Sequence, residues 1–382
     1  MKRCVGLCAV LVVALAPASA QTVQRFSPPS ARMAALGGPH AASVSGLDAI
    51  FENPAGFVAD ETEFSASALV FNPSGPIFDI AGLVLGGTDQ LMAGLPALFD
   101  SRGRFYAQAD ILGPLSFGYV GKGLGFGLFN RTVATVNASS LLSVAFEVSE
   151  EVMLAGGYAY RLAIGDRTII DLGIMPKGFI LASIGNRMSL DELMAVAMDP
   201  VSALESPLTM ISGVGFDVGA RLSLDRELSV GIVARDAYSP AMVTVYESFG
   251  AFTTSPQLAK VGESTYAVVP PDLSFGVAWE PHLTLLDRLG ADLTLLVDYV
   301  DILDLLSAVP RNPILNVGAG VELTLLDILS LRAGVKDALP TAGFGIDLTA
   351  FTFSLAMYGQ ELGIEPGSRP LYNLLVALDF SY

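Results

Sequence analysis

Strict alternation of large apolar residues with glycine or small polar residues recurs along this chain. In the segment 372–382, Tyr372, Leu374, Val376, Leu378 and Phe380 share one face. Successive side chains of a β-strand point to opposite faces of the sheet, so each such segment predicts a strand with one oily face. The most regular segments are 213–223, 315–325, 329–336, 342–349, 351–357 and 372–382. Less regular ones are 62–71, 103–112, 115–121, 123–134, 140–149, 151–162, 168–180, 227–236, 272–280 and 290–300.

A soluble β-sandwich and a transmembrane β-barrel both produce this alternation, and three features favour the barrel. The segments run for about nine to eleven residues, which is enough to cross a bilayer at a tilt. The polar face is rich in glycine, which weakens a solvated strand but suits a crowded lumen. The chain ends on the aromatics Phe380 and Tyr382, as bacterial outer-membrane barrels commonly do. From these segments we predict an antiparallel barrel of about 14 strands. The range is 12 to 16, because a missed hairpin changes the count by two and single-chain bacterial barrels have even strand numbers.

Composition agrees with a membrane protein that does not cross by helices. Hydrophobic residues make up 52% of the chain and charged residues 15%, against about 25% charged in soluble proteins. No run of about 18 apolar residues follows the N-terminal segment, so helical spans are not expected. In hydrocarbon every backbone polar group must be paired internally, and a closed sheet is the remaining solution. We therefore expect a barrel over residues 61–382 in the cell outer membrane, with its lipids as partners.

Residues 1–20 have the pattern of a secretory signal peptide rather than a membrane anchor. Lys2 and Arg3 precede a short apolar run, and Ala18-Ser19-Ala20 forms a small-residue cleavage site. The only cysteines, Cys4 and Cys8, lie in this segment, so a mature chain would have neither disulfides nor a thiol site. Its removal would take the net charge from −17 to −19, which argues against nucleic acid as a partner.

Two stretches interrupt the alternation. Residues 185–210 predict a small helical extracellular insertion, because Ser189 and Glu192 form a capping box. Its residues Leu190, Leu193 and Met194, with Arg187, either line a ligand entrance or simply pack on neighbouring loops. Residues 238–271 hold four prolines and predict a second long extracellular loop.

The N-terminal segment, residues 21–60, does not alternate. Its features are Arg32, the turn Leu36-Gly37-Gly38, Asp48, and the motif Asn53-Pro54-Ala55-Gly56-Phe57. In these residues the chain resembles the FadL-like outer-membrane superfamily, which includes long-chain fatty acid transporters and PorV-type proteins. Phe57 replaces the usual Leu, Pro39-His40 follows the glycines, and one acidic residue stands where two are common.

The resemblance implies a 14-stranded barrel whose N-terminal segment, here called the plug (residues 21–60), folds into the lumen with Asn53-Pro54-Ala55 at its core. A bore of that size would leak unless it were occupied. Asn53-Pro54 is expected to form the turn before the first strand, and a gating role for Asn53 is a further hypothesis. The resemblance implies a channel for hydrophobic small molecules such as long-chain fatty acids. The alternative is a PorV-type interaction protein that serves secretion or surface assembly.

Enzyme chemistry is not expected. The chain has two histidines, His40 and His282, and no serine elbow or paired-histidine motif. The glycine-rich run 121–127 alternates as a hairpin and opens no helix, so it lacks the context of a phosphate loop. Aspartates recur at every third position at Asp298, Asp301 and Asp304. This spacing suggests either a cation site or, more simply, a solvated strand end. We expect no cofactor and no resident metal.

Overall fold

The computed structural model describes residues 21–44, 46–59, 62–76, 79–80, 82, 85–86, 94–99, 103–140, 143–165, 167–225, 227–348 and 350–381. The predicted signal peptide lies outside these residues. The strands are β1 Gln21–Thr22, β2 Glu63–Ser74, β3 Phe105–Leu112, β4 Phe117–Gly121, β5 Leu124–Ser140, β6 Ser143–Ile164, β7 Thr168–Met188, β8 Leu208–Leu224, β9 Leu228–Tyr238, β10 Pro240–Tyr246, β11 Lys260–Val268, β12 Asp272–Trp279, β13 Ala291–Tyr299, β14 Val317–Leu325, β15 Leu329–Lys336, β16 Leu339–Asp347, β17 Thr352–Glu361 and β18 Pro370–Ser381.

Helical elements are short. The α-helices are α1 Ala31–Ala35, α2 Leu190–Met198, α3 Phe249–Thr254 and α4 Thr284–Asp287. The 3₁₀ helices are Gly46–Ile50, Pro54–Val58, Leu95–Leu98, Pro200–Glu205, Ile302–Leu306 and Pro313–Asn316. None of the helices in the described part of the chain combines the length and hydrophobicity that a bilayer span requires.

The strands form a closed antiparallel barrel with 14 positions in its wall. β18 pairs with β2 and closes the sheet. Three positions are each filled by two consecutive strands separated by a break, because both members pair with the same neighbouring wall position on at least one side. These are β3 with β4, β9 with β10, and β11 with β12. The expected fold class and strand number are confirmed.

The alternation in the sequence is also the inside–outside alternation of the wall. Outward side chains such as Leu154, Val214 and Val297 are more than half exposed, although they are apolar. Inward positions on the same strands are glycine, buried polar residues, or apolar side chains such as Met153 and Leu296 that are buried against the plug. An oily outer belt on a closed sheet is the arrangement that a bilayer stabilises, and the protein is an outer-membrane barrel.

The two ends of the barrel differ. At one end most connections are short, at 122–123, 165–167, 225–227, 326–328 and 348–351, with 280–290 the exception. The longest connections, 75–104, 189–207, 247–259 and 300–316, lie at the other end, together with the short ones at 141–142 and 337–338. By the usual asymmetry of these barrels, the short turns face the periplasm and the long segments face outward.

Two boundaries differ from the sequence-based prediction. The segments 140–149 and 151–162 belong to one 22-residue strand, β6. The stretch 238–271 was expected to be a loop, but it contains β10 and β11, and only 247–259 is a connection. The prolines misled the prediction, because Pro240, Pro270 and Pro271 lie at the breaks between paired strands, where no ladder hydrogen bond is needed. The helical insertion occupies 189–207, and its capping box is present.

An arginine placed in the lipid-facing belt tests the orientation of the wall. Val321 lies at the centre of β14 and faces outward. Val321→Arg is expected to lower the free energy of unfolding by about 2–4 kcal/mol, because the charge must enter hydrocarbon. Leu326→Arg, in the exposed turn that follows the same strand, is the control and is expected to cost about 0–1 kcal/mol. Urea unfolding in lipid vesicles measures both; equal costs would contradict the assigned outer face.

Candidate functional site: the plugged lumen

The described part of the plug folds inside the barrel. The side-chain hydroxyl of Ser30 caps α1 by accepting from the backbone N–H of Met33 (3.4 Å). After α1 the chain reverses at Gly37 and Gly38, whose φ values of 93° and 121° are open mainly to glycine. The backbone N–H of Gly38 donates to the carbonyl of Met33 (2.9 Å). The Leu-Gly-Gly turn noted in the sequence therefore ends α1 and reverses the direction of the chain.

Asn53 ties together two segments of the plug, the one that follows the Gly37-Gly38 turn and the 3₁₀ helix Pro54–Val58. Its Nδ2 donates to the carbonyl oxygen of Ala41 (2.7 Å), and its Oδ1 accepts from the backbone N–H of Ala55 (3.0 Å). Pro54 begins the 3₁₀ helix Pro54–Val58, where its missing N–H costs nothing. Asn53 is 1% exposed, so a side chain without both a donor and an acceptor would leave a buried group unpaired.

Glycines of the wall receive the plug. A Cβ atom added at Gly173 or Gly219 would collide with Asn53, Pro54 or Ala55, and one at Gly125 or Gly157 would collide with the Phe57 ring. On the adjacent strand β9, Gly231 meets Ala41. The same holds across the lumen, where Gly318 meets Gly37, Gly320 and Gly334 meet Leu36, and Gly343 meets Ala35. The departure from Leu to Phe at position 57 is accommodated because two glycines face its ring.

Charged side chains join the plug to the wall. Arg32 pairs with Glu322 of β14 (2.7 Å), which also accepts from Arg332 (2.7 Å), and Glu52 pairs with Arg235 of β9 (3.0 Å). Arg32 therefore forms its ion pair with the barrel wall, and Asp48 is a partly buried carboxylate near Arg32. Since a charge inside a protein is stable only when paired, these contacts fix the plug's position.

Burial raises the pKa values of two plug carboxyl groups. Burial, which exceeds the opposing effect of Arg235, raises the pKa of Glu52 to about 7, and Asp48 adds to the rise. Burial likewise raises the pKa of Asp48, against the influence of Arg32. A proton on either group is thus held more tightly with the plug seated than with the plug solvated.

A buried histidine–aspartate contact was not predicted. His40 is 0% exposed; its Nδ1 lies 2.6 Å from Oδ2 of Asp298, and its Nε2 lies 3.1 Å from the carbonyl oxygen of Leu36. Oδ1 of the same carboxylate accepts from the backbone N–H of Ala41 (2.7 Å). The simpler expectation of a solvated strand end is therefore wrong for Asp298, because the plug covers it. No spacing in the sequence links residues 40 and 298.

A cavity of about 560 Å³ lies between the plug and the outer end of the barrel. Its lining is mostly polar, and most of its charges are paired, as Arg131 is with Asp110 (2.7 Å) and Glu151 (3.3 Å). Lys336 differs: its Nζ lies 5.5 Å from the ring centroid of Tyr358 and has no carboxylate partner in the described residues. Nδ2 of Asn316, which is 6% exposed, also has no hydrogen-bond partner there.

The residues suggested as a ligand entrance lie apart from this cavity. Leu190 and Leu193 pack against the buried cluster of Phe105, Ala138 and Val144 near the outer end of the barrel. Arg187 is exposed at the end of β7, and the side chain of Met194 lies outside the described part. The structure thus brings the predicted plug residues together, whereas α2 packs on its neighbours, as the simpler alternative proposed.

Solved structures of similar length match the chain over most of its residues. The toluene transporter TodX of Pseudomonas putida matches with 11% identity and a TM-score of 0.47, covering 94% of this chain and 99% of the other. A FadL homologue of Pseudomonas aeruginosa matches with 12% identity and a TM-score of 0.45, over 95% and 99%. The channel CymD matches with 11% identity and a TM-score of 0.45, over 94% and 98%. No protein-family model and no curated protein matches the chain.

The chain is similar to FadL-like channels. At these identities the likeness concerns the fold, and the chemistry of the lumen is argued from this chain's own residues.

A paired glycine test on β7 examines the seating of the plug. A Cβ at Gly173 would collide with the plug backbone at Pro54, whereas at Gly178 the nearest atom is 4.0 Å away. Gly173→Ala is expected to displace the plug and raise ion conductance in planar bilayers, because the seal depends on backbone contact. Gly178→Ala on the same strand is expected to conduct like the unaltered protein. Equal conductance in both variants would show that the contact does not seal the bore.

Loss of the Asp298 carboxylate tests the second anchor. Asp298→Ala leaves Nδ1 of His40 and the backbone N–H of Ala41 without their partner, and breaking a buried pair costs about 3–5 kcal/mol. The plug is therefore expected to become accessible to protease while the barrel stays folded. Glu227→Ala removes the partner of the exposed His282 (3.3 Å), and such surface pairs contribute about 0–1 kcal/mol. Limited proteolysis compares the two; an unchanged digestion pattern in Asp298→Ala would count against this anchor.

Proposed function

We propose that this protein is an outer-membrane channel for hydrophobic small molecules such as long-chain fatty acids. The observation that carries the proposal is a closed barrel with an apolar outer surface, whose bore is occupied by its own N-terminal segment. Barrels of 16 to 18 strands leave an aqueous channel, but here the plug's backbone lies against wall glycines such as Gly173 and Gly219. We propose that these contacts deny hydrophilic solutes a water path past the plug.

The side-chain contacts that hold the plug in place can be released. Asn53, Arg32 and His40 hold the plug through hydrogen bonds and ion pairs to the wall or to the plug itself. In our proposal the plug moves about the Asn53 turn when cargo enters, and Asn53 acts as a gate residue. The motif Asn53-Pro54-Ala55-Gly56-Phe57 supports this role because it sits at the centre of the glycine contact.

Apolar surface marks the route on the membrane side. An open groove of about 650 Å³ lies in the wall where Gly178, Gly213 and Pro240 leave little side-chain bulk, and its lining includes exposed apolar residues such as Ile180 and Met242. In our proposal, capture occurs near the outer end, beside α2, whose Leu190 and Leu193 pack against the cluster of Phe105, Ala138 and Val144. Shape and apolar contact are the usual basis of selectivity for such ligands.

The polar cavity above the plug favours cargo with an anionic head. Lys336 and Asn316 offer donors that no residue in the described part of the lumen accepts. A carboxylate placed between them would gain charge-assisted hydrogen bonds, which are stronger than neutral ones. These donors support a long-chain acid over a neutral hydrocarbon as cargo, and the cargo's head is proposed to lie beside Lys336.

Uptake by proteoliposomes tests this function. Uptake of a labelled long-chain fatty acid is expected to be saturable with the unaltered protein. Lys336→Gln is expected to weaken the apparent affinity for the acid by about tenfold to a hundredfold, since hydrogen bonds to charged groups contribute about 1.5–3 kcal/mol. Uptake of a neutral hydrocarbon of similar length is expected to stay unchanged in that variant.

The control is Lys260→Gln, whose lysine is exposed on β11 and is expected to have no effect. Uptake that equals that of protein-free liposomes for both probes would overturn the channel proposal. Capture of a secretion complex through the segment 189–207 would then favour the interaction-protein alternative. Equal affinity for the acid in Lys336→Gln would remove only the assigned head site.

A further inference from the structure

The wall of the barrel is tall on one side and short on the other. β6 and β7 contain 22 and 21 residues, whereas β13, β14, β15 and β16 contain only eight or nine each. Counted from β2, β6 is the fourth wall position and β15 the eleventh, so the two strands lie opposite each other in a ring of 14. The short side therefore offers the bilayer much less strand than the tall side does.

The short strands fall below the height of the apolar band. A strand rises about 3.3 Å per residue, so eight or nine residues tilted by about 40° cover roughly 20–23 Å, whereas the apolar band of such barrels is about 25 Å tall. On β6 the exposed apolar side chains run from Ile164 to Val152, and the next outward residue is the exposed Glu150. That stretch covers about 30 Å at the same tilt. A bilayer that matches β6 therefore reaches past the ends of the short strands.

Exposed leucine and isoleucine side chains lie at the inner end of the short side. They come from three neighbouring connections, 280–290, 326–328 and 348–351, and are here called the leucine rim: Leu283, Leu285, Leu289, Leu326, Ile328 and Leu348. The backbone N–H of Leu326 donates to the carbonyl of Gly290 (2.6 Å), and that of Asp347 donates to the carbonyl of Ile328 (2.8 Å). These backbone bonds hold the three connections together as one surface.

The inner turns on the other half of the barrel have the opposite chemistry. Their described residues include Lys122, Arg167, Asp225 and Glu227. Arg167 pairs with Asp225 across two turns (3.5 Å), although the two side chains are 84% and 60% exposed. Such pairs are ordinary features of surfaces that face water. At the same end of the barrel, one half of the rim is thus charged and the other half is apolar.

Contiguous apolar patches of this kind mark contact with a membrane or with another protein. Lipid has the stronger support here, because the leucine rim adjoins the outward residues Trp279 and Leu331, which are apolar, nearly half exposed and already part of the lipid-facing belt. Arg288 and Asp327 in the same connections are exposed as well. At a membrane interface, charged side chains reach the headgroups while apolar neighbours lie at the acyl boundary.

We propose that the leucine rim is a lipid-binding surface that inserts into the inner leaflet of the outer membrane. It adds the apolar height that β13 to β16 lack, so the bilayer keeps its thickness beside β15. A barrel whose apolar surface is too short would otherwise have to thin the bilayer around it. The charged turns of the tall side stay in the periplasm. This surface requires neither cargo nor movement of the plug, and it therefore goes beyond the proposed channel function.

The membrane depth of single tryptophans tests the insertion. Trp279 is the only tryptophan of the chain, so Trp279→Phe gives a background without one. In that background, Leu285→Trp places a probe in the leucine rim. Arg167→Trp is the matched control, because it places a probe in an exposed turn at the same end of the barrel. Heat-dependent gel migration verifies that each variant is folded.

Each variant is reconstituted in phosphatidylcholine vesicles with and without bromine on the acyl chains just below the headgroup. The unaltered protein is the positive control, since its Trp279 faces the bilayer. Brominated lipid is expected to quench Leu285→Trp about as strongly as Trp279. Arg167→Trp is expected to emit equally in both kinds of vesicle and to be quenched by acrylamide in the aqueous phase.

Quenching of Leu285→Trp by brominated lipid that does not exceed that of Arg167→Trp would overturn the insertion. The exposed leucines would then belong to a locally thinned bilayer or to a soluble partner. Leu326→Trp, in the same background, repeats the measurement in the neighbouring connection and keeps the test decisive where Leu285→Trp does not fold. Emission of Leu326→Trp that brominated lipid leaves unchanged would equally contradict a single inserted surface.

Discussion

Contact between plug backbone and wall glycines is the constraint on which this structure depends. At Gly173, Gly219 and Gly320 the plug approaches so closely that even a methyl group would collide. Close packing of this kind seals a bore without a large apolar core. It also explains why glycine, which weakens a strand, lines the lumenal face of so many strands here. The outer face, by contrast, needs only bulk and hydrophobicity.

Charge follows the same division between the two faces. The chain is acidic overall, with a net charge of −17, yet the lumenal carboxylates Asp272, Glu322 and Asp298 each meet a cation or a histidine. Buried pairs such as these position elements more than they add stability. Because the partners come from the plug on one side and the wall on the other, the pairs set where the plug sits. Lys336 has no carboxylate partner among the described residues, and for this reason we propose that it binds the anionic head of a ligand.

Two of the three broken wall positions lie side by side. The breaks at Ser239 and at Val269-Pro270-Pro271 lie in adjacent wall positions, and β1 pairs with β11 beside them. Bulges and breaks in a sheet commonly mark functional places, since they interrupt pairing where a regular ladder would be more stable.

Alternation in the sequence determined the closed sheet, its outer face, the strand number and the small-residue lumen, because each of these follows from local side-chain order. The motif from Asn53 to Phe57 also indicated the plug, although through resemblance rather than periodicity. Tertiary structure alone decided that His40 meets Asp298, that Arg32 meets Glu322, and that prolines at 240 and 270–271 mark breaks instead of a loop. Such pairings join residues hundreds of positions apart, and only closure of the barrel around the plug brings them within hydrogen-bond distance.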